Sequence, residues 1–131
     1  NIEKSDEINI NRLASWNKYY DGLKDLEKTG FIQLPTIQKK CVKNSHMFYL
    51  KVSNLEIRTL LLEYLDQNGI AAVFHYVPLH SAPAGWKFGR FDGADTYTTT
   101  ESETLIRLPM YFGLKKEDIQ LICRAINNFF L

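Results

Sequence analysis

From Asn9 to Glu27, apolar and aromatic side chains recur at Leu13, Trp16, Tyr20, Leu23 and Leu26. Steps of three and four place them on one face of an amphipathic helix, and this period sets the scale of everything that follows. Thr29-Gly30 ends the helix, Pro35 forbids its continuation, and a polar connector with Gln38, Lys39, Lys40 and Lys43 leads onward. The run His46 to Val52 is rich in aromatic and branched residues and predicts a strand. Ser53 or Asn54 can cap a second helix, whose inner positions Ile57, Leu61, Tyr64 and Leu65 keep helical spacing until Gly69. A second strand is predicted from Ala71 to Val77, ended by Pro78.

From Pro78 to Thr98 neither period survives, and Pro83, Gly85, Gly89 and Gly93 punctuate the segment, which predicts a long loop. Loops of about twenty residues are uncommon inside compact domains and usually carry function, so chemistry is expected there. Thr100-Glu101-Ser102-Glu103 has the form of a capping box opening a short helix, followed by an extended Ile106 to Met110. A last helix carries Ile119, Ile122, Cys123, Ile126 and Phe130 on one face, with Lys115-Lys116 standing where a capping Ser or Thr is expected. Three strands and helices of one-sided apolarity predict an α+β fold: a two-layer small domain with helices on one face of the sheet. The helical crossover between the first two strands makes them parallel, with the third between or beside them and antiparallel.

With 131 residues, 45% hydrophobic and 24% charged, one domain is expected, able to bury roughly two-thirds of its unfolded surface without staples. The net charge of +1 comes from interspersed signs, which argues against a broad nucleic-acid or acidic-membrane surface. No apolar run can span a bilayer and no leader pattern opens the chain, so a cytoplasmic setting is expected. The chain begins at Asn1, as a processed protein or a piece of a longer one would. Cys41 and Cys123 have no partner at metal or redox spacing and read as free thiols, Cys123 as a small core residue. No metal site is expected.

Two clusters stand out. His75-Tyr76-Val77-Pro78-Leu79-His80 lies at a strand end and the mouth of the long loop, a common address for ligand contacts. Alternation would set His75 with Val73 and Val77 on one face, and Phe74 with Tyr76 on the other. The plainer reading makes His75 a hydrogen-bonded interior residue and His80 a loop histidine. Trp86-Lys87-Phe88-Gly89-Arg90-Phe91 interleaves cations and aromatics, which can bind phosphates, or simply tuck its rings onto the core. Its glycines form neither a dinucleotide fingerprint nor a Walker loop, and Asp92 and Asp95 read as turn residues around Gly93.

Several segments in order carry a family resemblance: Asn44 to Tyr49, His75 to His80, Ser81 to Gly85, Tyr97 to Glu103 and Arg107 to Met110. The chain resembles the C-terminal part of the DegT-type sugar-nucleotide aminotransferases, and within them is most similar to the TDP-4-oxo-6-deoxyglucose transaminases. The resemblance covers nearly all of the chain, Trp16, Tyr19 and Tyr20 included. It implies the small C-terminal domain of an aspartate-aminotransferase-fold enzyme, with residues 1–30 as an amphipathic interdomain helix and 31–131 as the small domain proper. The parent would be a pyridoxal-phosphate enzyme moving an amino group from glutamate to a 4-keto-6-deoxy sugar nucleotide for lipopolysaccharide or other surface polysaccharide. Its partners would be the upstream large domain of the same polypeptide, a second copy in a homodimer, and the sugar nucleotide.

The Schiff-base lysine, the acid facing the pyridinium nitrogen and the phosphate cup belong, by the resemblance, to the upstream domain. This chain alone is therefore expected to hold no cofactor, to carry no catalytic residue and to be inactive. The resemblance places His75, Tyr76 and His80 near the substrate, with Lys87 and Arg90 as candidate diphosphate contacts. The first helix is expected to leave Trp16, Tyr19 and Tyr20 partly uncovered. A reading of a different class is a free-standing α+β module, ferredoxin-like, that binds a small molecule or protein. A glycine-rich, lysine-bearing domain upstream in the reading frame would discriminate between the two.

Overall fold

A computed structural model describes residues 2–131. Among them the order is α1 (Ser5–Glu27), β1 (Ile32–Gln33), β2 (Phe48–Val52), α2 (Leu55–Gln67), β3 (Val73–Phe74), α3 (Pro83–Phe88), α4 (Thr98–Thr104), β4 (Leu105–Leu108) and α5 (Lys116–Phe130). Single 3-10 turns at Ile2–Lys4 and Leu79–Ser81 complete it.

The sheet order is β1-β2-β4-β3, with every neighbouring pair antiparallel. Because β2 and β3 both run antiparallel to β4, they are parallel to each other with β4 between them, as the crossover through α2 requires. Register sets the two faces. Phe48, Leu50, Val52, Ile106 and Leu108 are buried on the helix side, and Tyr49, Lys51, Leu105, Arg107 and Val73 project from the other. Phe48 receives the rings of Trp16 and Tyr19 at centroid distances of 5.1 and 5.0 Å, and Tyr64 meets Phe129 at 5.5 Å, which ties α1, α2 and α5 into one core.

The sheet has four strands rather than the expected three. Two residues, Ile32 and Gln33, lie between Gly30 and Pro35, too short a span to show a period, yet they pair with Val52 and Lys51. Strand β2 starts at Phe48 rather than His46, because Asn44 turns the chain first: its Oδ1 accepts from the His46 backbone at 3.3 Å, and Ser45 sits at φ +54°. Strand β3 is shorter than Ala71–Val77. Beyond Phe74 the carbonyls of His75 and Tyr76 leave the ladder and accept from Ser102 Oγ at 3.3 and 2.7 Å, so the expected face alternation stops there.

The first helix begins at Ser5, and its deepest residue is Tyr19, whose hydroxyl donates to the Pro109 carbonyl at 2.8 Å. Trp16 is buried and Tyr20 stacks on it at 5.4 Å, so the aromatic surplus expected to stay uncovered is absorbed by the domain's own core. Leu13, counted in the apolar stripe, is exposed instead. Asn54 rather than Ser53 caps α2, accepting from Ile57 N at 2.9 Å, and Gly69 follows at φ +72°. No side chain caps α5 at Lys115, in keeping with its sequence. The segment Pro78–Thr98 is not one loop. It contains the Leu79–Ser81 turn and α3, which starts on Pro83, a residue suited to the first helical position.

Candidate functional site

Pro78 ends the strand-side segment, and the turn that follows delivers His80 into a cleft of about 400 Å3. Leu79, Gly85, Arg90, Phe91 and Thr98 share its walls. His80 Nε2 donates to Asp95 Oδ2 at 2.9 Å, and the Phe91 ring lies against the imidazole at a centroid distance of 4.4 Å. Asp95 is held in turn by α4: the Thr99 backbone N–H donates to Oδ1 at 3.3 Å, and the Thr99 hydroxyl donates to Oδ2. Those bonds, the hydroxyl first, then the Thr99 N–H and the charge of His80, keep the Asp95 carboxyl below the usual carboxylate range. The pair lies half-buried, its side chains 20% and 22% exposed.

Sequence reasoning missed Asp95. It is fifteen positions from His80 with no shared period, and beside Gly93, at φ +86°, it looks like turn chemistry only. The available signal was an Asp shortly before a Thr-rich helix start, where a carboxylate can accept from first-turn N–H groups. Asp95 performs that role, so the capping box expected at Thr100 does not form and the helix opens at Thr98.

Of the five expected site residues, the fold brings His80 and Arg90 to one cleft. Lys87 is exposed on α3, its Nζ 5.0 Å from the Phe88 ring centroid, and is not part of the cleft wall. His75 is half-buried with its ring edge-on to Tyr76 at 5.0 Å, and its Nδ1 is buried without a hydrogen-bond partner. His75 is thus not the hydrogen-bonded interior residue of the plainer reading. Tyr76 points into solvent, 73% exposed. Their carbonyls are fixed by Ser102, whose own carbonyl accepts from Arg58 at 3.0 Å, so α4 braces both the His75 segment and the His80 cleft.

Residues 1–127 match the DegT/DnrJ/EryC1/StrS aminotransferase family. The chain belongs to that family. Its fold is that of DesV from S. venezuelae, solved with a ketimine intermediate: TM-score 0.83, 24% identity, over 98% of this chain and 33% of that one. It is also that of PseC from Helicobacter pylori, an aminotransferase involved in pseudoaminic acid biosynthesis, at TM-score 0.81, 20% identity, 97% and 34% coverage. NtdA from Bacillus subtilis, solved with bound cofactor PMP, matches at TM-score 0.69 and 21% identity over 92% of this chain and 28% of its own. The chain therefore spans about a third of the length of these relatives.

Solved relatives include a pyridoxal-phosphate form and one with bound pyridoxamine phosphate, and pyridoxal phosphate requires a lysine free to bond its aldehyde carbon. Nine of the eleven lysines are exposed. Lys43 lies with Nζ 3.2 Å from the Trp16 ring centroid and donates to Asn17 Oδ1 at 2.8 Å, so its ammonium is already engaged by this chain's own side chains. Partial burial lowers its pKa. Lys51 is engaged by Glu101 at 3.1 Å. These residues do not fit the cofactor. Among the described residues no cluster of His, Cys, Asp and Glu could hold a metal ion. A larger groove of about 540 Å3 between α1 and α5 shares no residue with the His80 cleft.

Proposed function

We propose that this chain is the smaller, C-terminal part of a pyridoxal-phosphate-dependent sugar-nucleotide aminotransferase. The observation that carries this reading is the family match over 1–127 combined with coverage of only a third of each solved relative. The parent would take an amino group from glutamate to a 4-keto-6-deoxy sugar nucleotide, TDP-4-oxo-6-deoxyglucose by the resemblance in His75 to His80 and Arg107 to Met110. Its product would serve lipopolysaccharide or other surface polysaccharide synthesis in the cytoplasm. Among the described residues no helix is long and apolar enough to cross a membrane.

The cofactor would be held by the remaining two-thirds of the parent, which would be a homodimer, and residues 1–30 would carry the chain from that part into the small domain. What this chain contributes is a shaped wall: His80 to bond a sugar hydroxyl and Arg90 to meet a phosphate. The isolated chain would be inactive.

Two measurements test the reading. Incubation of the chain with pyridoxal phosphate, then borohydride reduction and peptide mapping, should give no stoichiometric adduct at a single lysine. A single-site adduct would contradict it. In the parent, His80→Ala should weaken sugar-nucleotide binding about tenfold to a hundredfold, the loss of a hydrogen bond worth roughly 1–3 kcal/mol, with cofactor absorbance unchanged. A reading frame with no upstream cofactor domain would instead make the chain a free-standing binding module.

A further inference from the structure

The two nitrogens of His80 stand in different chemical situations. Nε2 faces the Asp95 carboxylate at 2.9 Å, with Thr99 Oγ1 also 3.4 Å away. Nδ1 has no protein partner among the described residues and is not among their buried unpartnered atoms. A carboxylate only accepts, so Nε2 must carry the ring proton, and in the neutral imidazole Nδ1 is left with a lone pair.

The pair is also immobilised from several sides. Pro78 precedes the turn, Phe91 covers the ring, and Asp95 is anchored to the first turn of α4 through both atoms of Thr99 that can donate. The Thr99 N–H bond to Oδ1 is the capping contact, and the hydroxyl bond to Oδ2 is additional to it. The second oxygen, Oδ2, is the one turned to His80.

We propose that Asp95 is a positioning residue that holds His80 in its Nε2–H form and so presents Nδ1 at the cleft as an acceptor for a hydroxyl group of the bound sugar. This rests on the reading of His80 as a sugar-nucleotide contact. It adds a division of labour: a neutral Nδ1 acceptor suits a hydroxyl and repels phosphate oxygens, whereas Arg90 on the same cleft suits the diphosphate. Asp95 itself does not touch the ligand.

Imidazole 15N NMR on this chain reads the proton directly, and its three histidines can be assigned by single substitution at His46 and His75. At about pH 8, where an ordinary imidazole is neutral, wild-type His80 should show a protonated Nε2 and a bare Nδ1. In Asp95→Asn the amide oxygen stays on the Thr99 N–H and the NH2 turns to Nε2, so the proton should move to Nδ1. The same logic underlies the wrong-tautomer variant of the serine-protease triad.

A wild-type His80 protonated on Nδ1 overturns the proposal, and so does an Asp95→Asn spectrum with His80 unchanged in a folded chain. The wild-type measurement decides even if the variant does not fold. Titration with dTDP-glucose of the full-length parent, in which the rest of the polypeptide completes the site, separates this from the reading beneath it. A saturable shift at His80 Nδ1, at least tenfold weaker in Asp95→Asn, supports both. A correct tautomer with no shift in the wild type retains the Asp95 effect on the ring and removes His80 from the sugar site.

Discussion

Cys123 on α5 packs against Gly22 on α1. A Cβ built on Gly22 would lie 2.7 Å from its Sγ, so the glycine is what lets the thiol in. Burial pushes the Cys123 thiol up to about 12. A raised value means the folded state favours the protonated form. The associated stability is complete below the unfolded thiol's value, near 9.0, and is lost as pH rises toward 12. Cys41 is exposed. At about pH 8 a thiol reagent should therefore modify one cysteine per native chain, Cys41, and reach Cys123 only after denaturant is added; two thiols reacting in the native state would refute this burial. Cys123 was readable from helical spacing because its role is packing along a periodic face. Asp95 was not, because its role depends on a loop that brings positions 80 and 95 together, and no local period encodes that closure.

Helix α3 and the Leu79–Ser81 turn pack so tightly that an added methyl has nowhere to go. A Cβ at Gly85 would meet the Leu79 carbonyl oxygen at 1.7 Å and its carbon at 2.7 Å, both backbone atoms that cannot swing aside. Gly85→Ala should therefore push α3 off the turn that carries His80, at an overpacking cost of roughly 1–3 kcal/mol. The checks are the melting temperature and the His80 imidazole resonance, and an unchanged resonance in a fully stable variant would show that the turn does not depend on this contact. The same comparison explains which elements the sequence revealed. Helices α1, α2 and α5 span several turns, so an apolar stripe has room to repeat. With two residues in β1 and six in α3, neither completes enough cycles to be recognised, and each is decided by its neighbours: β1 by pairing with β2, α3 by Pro83 and by docking on the turn.

At the scale of the whole molecule, apolar surface is distributed unevenly. The core takes Trp16, Tyr19 and Phe48, while Tyr76, Leu79, Trp86, Phe88 and Tyr97 are each more than two-thirds exposed, all in the segment between β3 and α4. A chain that closes its core around α1 yet leaves five large apolar side chains on one connecting segment has surface of the kind that marks interaction sites. In the proposed parent that surface would meet the remaining two-thirds of the polypeptide. The two tryptophans make this measurable, because Trp16 is 5% exposed and Trp86 is 77% exposed. Acrylamide quenching of the isolated chain should resolve one accessible and one protected emitter, and Trp86→Phe should remove the accessible one. A hydrophobic dye should bind the native chain at neutral pH, and charged substitutions at Leu79 and Phe88 should weaken that binding without lowering the melting temperature, since neither side chain is part of the core. If dye binding is undiminished in that double variant, the dye sits elsewhere, and the exposed half of α1 with Ile10 and Leu13 is the next place to test.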